Sequence, residues 1–328
     1  MKGIELSRAF WEECGRPMLE ERFPELTGLV AVGLVGAGSE CYGYDDEISR
    51  DHDFEHGFCF YLPDEERVSR RQEFLLGRAY ESLPKEFMGL RRSMFNPAGG
   101  NRHGGFRTAE VYRAMTGIPG KPEGWRDYLR VPDEALAEAT NGVVFYDGLG
   151  EFSAIREAWK NPPRDVQLKK LCGYLIRMSQ TGEYNFERCL KRLDPASAQL
   201  VIAEFAKATA GAWEWIHNRP SPYYKWRLRS LAEYSDSTRL YPMLCSLLLG
   251  GRRDPGAESL FEGIGRNGDG SYAAAELIAG ICSEVLVHVR KAFPECPQDA
   301  DLQRTALALN DRIGDGVLRS MSPLAAIG

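Results

Sequence analysis

The stretch Leu29-Val30-Ala31-Val32-Gly33-Leu34-Val35-Gly36-Ala37-Gly38-Ser39, followed after eleven residues by Asp51-His52-Asp53, decides how this chain is read. The apolar run 29–35 has the length and composition of a buried strand. Small residues then make a turn. Residues 52–62, with Phe54, Phe58, Phe60 and Tyr61, read as a second strand ended by Pro63. Alternate side chains of a strand share a face, so Asp51 and Asp53 point together and His52 and Phe54 point away. Two converging carboxylates beside a Gly-Ser turn form a seat for Mg²⁺ carrying a nucleoside triphosphate. Gly38 lets the backbone approach a phosphate, the following N–H groups bind it, and the Ser39 hydroxyl adds a donor.

Competing motifs fail in detail. A dinucleotide fingerprint starting at Gly36 needs glycine at position 41, where Cys41 stands, and no P-loop lysine follows. A kinase-like His-Arg-Asp motif is absent. The bland reading of Asp45, Asp46, Glu47, Asp51, Asp53 and Glu55 is a solvated acidic loop, and a lone D-x-D is common. The apolar strand and the Gly-Ser turn at this distance favour the functional reading. His52 and His56 have the spacing of a metal pair on a helix, but the segment reads as a strand, which leaves His52 in the core or in a supporting role. Arg50 is read as an ion-pair partner of Asp45 or Asp46, or as a phosphate contact. Asn267-Gly268-Asp269-Gly270-Ser271 copies part of a calcium loop without its closing Glu and reads as a plain turn.

The 328 residues suffice for two domains, and 43% hydrophobic with 27% charged residues is ordinary for a globular protein. Forty-one basic against 47 acidic residues give a net charge of −6, which argues against a dedicated nucleic-acid binder. Eight scattered cysteines form no Cys-x-x-Cys pair. With no signal peptide and no apolar run of membrane-spanning length, a cytoplasmic location with reduced thiols is expected. Residues 5–24 predict an amphipathic helix, Asp64 to about Ser82 a second helix, and 106–111 a short strand. Beyond Pro119 and Pro122 strand signals fade, and 151–180, 183–193, 195–217, 223–250, 256–264 and 271–293 read as helices. The expected fold class is α+β: a small αβ domain with a mixed sheet over 1–125, a connecting segment over 126–150, and an all-α helical bundle over 151–328.

Gly38-Ser39 with Asp51-x-Asp53 resembles the signature of the nucleotidyltransferase superfamily of the DNA polymerase β type. The fuller wording is Gly38-Ser39-Glu40 and Gly43-Tyr44-Asp45-Asp46-Glu47-Ile48-Ser49-Arg50-Asp51-His52-Asp53. With Asn141-Gly142-Val143-Val144-Phe145-Tyr146-Asp147 and Pro222-Tyr223-Tyr224-Lys225-Trp226, it is similar to one poorly characterised group of that superfamily. The resemblance implies that Asp51 and Asp53 hold Mg²⁺, and that Gly38 and Ser39 bind ATP or another nucleoside triphosphate. A third carboxylate on a neighbouring strand supplies the base or a further ligand, with Glu110 as first candidate and Asp147 as second. For Lys225 it implies a phosphate contact, and for Tyr224 or Tyr223 a place in the acceptor or base pocket; plain packing of these aromatics is the alternative. The implied reaction moves a nucleoside monophosphate to a hydroxyl on a small molecule, or less readily on a protein or RNA, with the helical domain selecting the acceptor. Aminoglycoside nucleotidyltransferases share that two-part plan. A non-catalytic nucleotide-binding or regulatory protein on the same fold, toxin–antitoxin-like, is the rival reading.

Overall fold

A computed structural model describes residues 1–50, 55–92, 103–250 and 273–327. The chain forms two compact units: Met1–Val131 with Ala135–Asn161, and Pro132–Glu134 with Pro162–Gly328. Among the described residues the chain is helix-rich, and its strands all belong to the first unit.

In the first unit, α1 (Gly3–Phe10), a π-helical turn (Trp11–Gly15) and α2 (Arg16–Arg22) run on from one another, as the amphipathic pattern predicts. They precede β1 (Ala31–Leu34), the four-residue α3 (Ser39–Tyr42) and β2 (Cys59–Leu62). Next come α4 (Arg70–Glu81) and the small hairpin β3 (Glu86–Phe87) and β4 (Leu90–Arg91). Then follow β5 (Gly104–Arg107), α5 (Thr108–Thr116), α6 (Trp125–Arg130), α7 (Asp133–Thr140), β6 (Val143–Asp147) and α8 (Glu151–Lys160). The main sheet has the order β5-β2-β1-β6, with β1 antiparallel to both neighbours and β2 parallel to β5. Its aromatic face packs on the N-terminal helices. Trp11 meets Phe58 and Phe60 at ring-centroid distances of 5.4 and 5.9 Å, and Phe10 meets Phe58 at 5.7 Å. These rings are fully buried, and each contributes roughly 1.5–3 kcal/mol through apolar area removed from water.

Three elements differ from the sequence expectation. The helix expected from Asp64 starts at Arg70, because Ser69 and Gln72 form a capping box: the Gln72 N–H donates to Ser69 Oγ at 3.3 Å and the Ser69 N–H to Gln72 Oε1 at 3.0 Å. Asp64 instead receives the Arg67 guanidinium at 2.7 Å. The strand expected over 106–111 ends at Arg107. That buried guanidinium is tied to Glu73 at 2.6 Å and to the Pro63 carbonyl at 2.7 Å, and helix α5 begins at the next residue. The segment 126–150, expected as a connection, contains β6, the fourth strand of the main sheet, and the first unit continues through α8 to Asn161. The strand expected over 52–62 is described from Cys59; Asp51 to Phe54 lie outside the described residues, as do the helix expected over 256–264 and the turn at Asn267–Ser271.

The second unit is helical. Its described residues form helices α9 (Arg164–Met178), α10 (Phe186–Lys191), α11 (Pro195–Ile216), α12 (Tyr224–Ala232), α13 (Leu240–Leu248), α14 (Ala273–Ala292), α15 (Leu302–Asn310) and α16 (Gly316–Ser320). Its polar anchor is Asp133, at the start of α7. One carboxylate oxygen takes Lys170 Nζ at 2.8 Å; the other takes Tyr174 OH at 2.6 Å and Trp215 Nε1 at 2.7 Å. Gly211 makes room for the ring of Tyr174, since a Cβ there would lie 2.4 Å from Tyr174 Cε1. Glu214 is likewise buried, accepting from Ser230 Oγ and Tyr234 OH, and burial raises its pKa above the ordinary carboxylate value. No described helix is long and apolar enough to cross a membrane. None of the eight cysteines is in a disulfide.

Both members of the Asp133–Lys170 pair are at most 4% exposed, so removing one charge strands the other. Lys170→Met is expected to lower stability by about 3 kcal/mol in chemical denaturation, with Asp133→Asn added to it recovering part of the loss. His56, fully buried against the Phe10 ring at 4.4 Å, gives a pH-dependent term. Burial lowers its pKa, opposed by a bond to the Pro84 carbonyl and reinforced by Arg92. The unfolded chain therefore binds the proton more readily. The contribution of His56 is complete above about pH 6.5 and declines as pH falls below it. Thermal melts at about pH 7.5 and about pH 5.5 should differ less in His56→Gln than in the parent.

Candidate functional site at the Gly36–Ser39 turn

The polarity of the strands gathers one set of chain ends. Leu34, the last residue of β1, pairs with Val143 at the start of β6; Gly33 pairs with Cys59 at the start of β2, and Cys59 with Gly104 at the start of β5. The Gly36–Ser39 turn therefore sits at the sheet edge where β2, β5 and β6 begin. Gly36 and Gly38 have φ of +105° and +126°, conformations that L side chains rarely adopt. Gly36 is buried, Ala37 exposed, and Gly38 and Ser39 half-buried. Among the described residues the Ser39 hydroxyl makes no hydrogen bond.

Two consecutive residues hold both ends of this turn. The Gly36 N–H donates to Asn141 Oδ1 at 2.8 Å, and Asn141 Nδ2 donates to the Gly36 carbonyl at 2.8 Å. The Gly142 N–H donates to the Cys41 carbonyl at 2.8 Å. Arg156 on α8 fixes these two residues in turn, its Nη2 donating to the carbonyls of Asn141 and Gly142 at 2.9 and 2.8 Å. Beside the turn, burial raises the pKa of the Tyr42 hydroxyl.

Gly38 and Ser39 thus stand where the sequence places them, in the turn after β1. Asp51 and Asp53 lie outside the described residues. Glu110 is not brought to the turn. It lies in the first turn of α5, past the far end of β5, at a cavity of about 370 Å³ lined by Leu62, Pro63, Arg70 and Arg113 among others. Its exposed carboxylate is 3.7 Å from Arg70. Asp147 is at the same far end, paired in register with Ala31, the first residue of β1. Its oxygens accept the N–H groups of Gly150 and Ser153 at 2.8 Å each, which ties the start of α8 to the end of β6. Both third-acid candidates thus lie at the end of the sheet opposite the Gly36–Ser39 turn, Asp147 at the end of β6 and Glu110 on α5 just beyond β5. Tyr224 and Lys225 open α12 in the second unit. Tyr224 is 69% exposed, and the Lys225 ammonium lies 4.8 Å from the Trp226 ring centroid.

Three residues at the Gly36–Ser39 edge went unassigned in the sequence reading. Asn141 stands out in the sequence only as the first residue of the Asn141–Asp147 motif. Glu55 and His103 face one another, Oε1 to Nδ1 at 3.6 Å, and the His103 ring fills the space beside Gly57, where a Cβ would lie 2.5 Å from its Cγ. Glu55 continues the alternation of Asp51 and Asp53, the one signal in the sequence that marks it. Among the described residues no three His, Cys, Asp or Glu side chains gather around a metal position.

Residues 128–227 match a family described as a domain of unknown function, DUF4037. The matched segment contains Asn141 and Gly142, Arg156 and the whole Asp133–Lys170–Tyr174–Trp215 network. No curated protein matches the chain.

Gly142 tests the packing of this edge. Its φ is +67°, and a Cβ there would lie 2.1 Å from the Leu34 carbonyl oxygen. Gly142→Ala is expected to cost about 2–3 kcal/mol in chemical denaturation, because strain and a backbone clash add.

Proposed function

We propose that the chain is a Mg²⁺-dependent nucleotidyltransferase of the DNA polymerase β type. It moves a nucleoside monophosphate from ATP or another nucleoside triphosphate to a hydroxyl, on a small molecule in preference to a protein or RNA. The observation that carries this reading is the Gly36–Ser39 turn, held at both ends, at the sheet edge from which β2 starts.

In the reaction the acceptor oxygen attacks the α-phosphorus, the bond to the bridging oxygen breaks and pyrophosphate leaves. Ser39 Oγ and the N–H groups of Gly38 and Ser39 donate to triphosphate oxygens, holding the α-phosphorus in line with the acceptor. Asp51 and Asp53 are the residues that would hold Mg²⁺, which would supply neutralisation of phosphate charge and a lower pKa for the attacking hydroxyl. Glu55, facing His103, is the described carboxylate that this reading assigns to the hydroxyl proton, in place of Glu110. The second reading, a non-catalytic nucleotide-binding or regulatory protein, is favoured by the position of Glu110 and Asp147 at the opposite sheet edge.

The test is Mg²⁺-dependent transfer of label from α-labelled nucleoside triphosphates to a panel of hydroxyl-bearing small molecules. Asp51→Asn with Asp53→Asn should lower the rate by about 100-fold or more, and Ser39→Ala by about tenfold. Triphosphate binding without transfer to any acceptor supports the second reading. Transfer that survives the double substitution overturns the metal assignment, and no binding of triphosphate overturns both readings.

A further inference from the structure

A glycine-rich turn is intrinsically loose, because glycine has the most backbone freedom to lose on ordering. Here the looseness is removed by a side chain 105 positions away in sequence. The Asn141 amide presents its oxygen to the Gly36 N–H and its nitrogen to the Gly36 carbonyl, the pairing a strand neighbour would make. It prolongs the β1–β6 register two residues beyond the Leu34–Val143 pair. Both polar groups of Gly36 are thereby used on the sheet side. The far end of the turn is fixed by the next residue, through the bond from Gly142 to Cys41. What remains between the two anchors is Ala37, Gly38, Ser39 and Glu40.

We propose that Asn141 is the positioning residue of this turn: by holding Gly36 on both its N–H and its carbonyl, it sets the conformation in which Gly38 and Ser39 meet the triphosphate. Arg156 supports it from behind through the carbonyls of residues 141 and 142. Asn141 touches neither the nucleotide nor the acceptor. It acts on affinity by removing the ordering cost that a free Gly-Ala-Gly-Ser turn would impose on binding. The inference rests on the reading of this turn as a nucleotide site.

The clamp needs one donor and one acceptor on the same planar group, which supplies the test. Asn141→Ala removes both. Asn141→Asp keeps the acceptor but sets a carboxylate against the Gly36 carbonyl, which raises the pKa of the introduced acid. Once protonated, that acid again carries one O–H donor beside one acceptor. Of the groups near it, the Arg156 guanidinium opposes that rise, whereas the Gly36 carbonyl and the Glu138 carboxylate reinforce it.

Mg·ATP binding is measured by titration calorimetry on the full chain, with amide exchange of Gly36 followed by NMR. At about pH 7.5 both variants should bind roughly tenfold more weakly than the parent and lose Gly36 protection. On lowering the pH towards about 5, Asn141→Asp should recover affinity relative to the parent while Asn141→Ala does not. Loss of folding would also lower affinity, but it would not produce that selective rescue. Should both variants fail to fold, Arg156→Gln, which loosens the support from outside the turn, is expected to weaken binding in the same direction. Variants, Arg156→Gln included, that lose Gly36 protection yet bind Mg·ATP like the parent would overturn the role of Asn141 and leave the nucleotide reading intact. A parent that does not bind Mg·ATP would overturn the nucleotide reading itself.

Discussion

The first unit depends on β1 lying antiparallel to both of its neighbours at very close range. Gly33 sits where the register with β6 shifts, and a Cβ there would lie 2.6 Å from the Val143 carbonyl oxygen. No other residue type fits without displacing a strand. This arrangement decides which chain ends meet. The end of β1, the starts of β2 and β6 and, through the parallel β2–β5 pair, the start of β5 all come to one edge. The opposite edge collects Asp147 and, beyond Arg107, Glu110.

At the gathered edge, rigidity is assembled from hydrogen bonds that the strands themselves do not make. Asn141 and Gly142 hold the two ends of the Gly36–Ser39 turn, and Arg156 anchors both carbonyls to α8. Each such bond has a modest net value, on the order of 1 kcal/mol, but leaving a buried partner unpaired costs more, so the set holds together as a unit. The aromatic packing of Phe10, Trp11, Phe58 and Phe60 keeps the sheet itself from shifting underneath. In the second unit Asp133 plays the comparable part, satisfying three donors with a single carboxylate.

Much of this was legible in the sequence, and the misses share a cause. An apolar run followed by Gly-Ala-Gly-Ser identifies a buried strand and a tight turn from local chemistry alone, and the structure has both. The N-terminal helix and the helical second half follow from periodicity. The capping box of Ser69 and Gln72 was also local, yet the acids at Asp64 to Glu66 were the louder helix-start signal and drew the helix six residues too early. The distance of Glu110 and Asp147 from the Gly36–Ser39 turn has a different origin. Which end of a sheet a residue occupies depends on whether its strand runs parallel or antiparallel to its neighbours, and residue spacing does not encode that. The pairing of Asn141 with Gly36 spans 105 residues and was invisible for the same reason.

On the proposed function, metal and nucleotide meet at the Gly36–Ser39 edge and not at the Glu110 edge. Paramagnetic broadening tests it most directly, with Mn²⁺ in place of Mg²⁺ and ATP present, read on assigned backbone amide signals. The account predicts that the signals of Gly38, Ser39 and Cys59 broaden strongly while those of Glu110 and Asp147 persist. Broadening centred on Glu110 and Arg70, or none at Gly38 and Ser39, would contradict it.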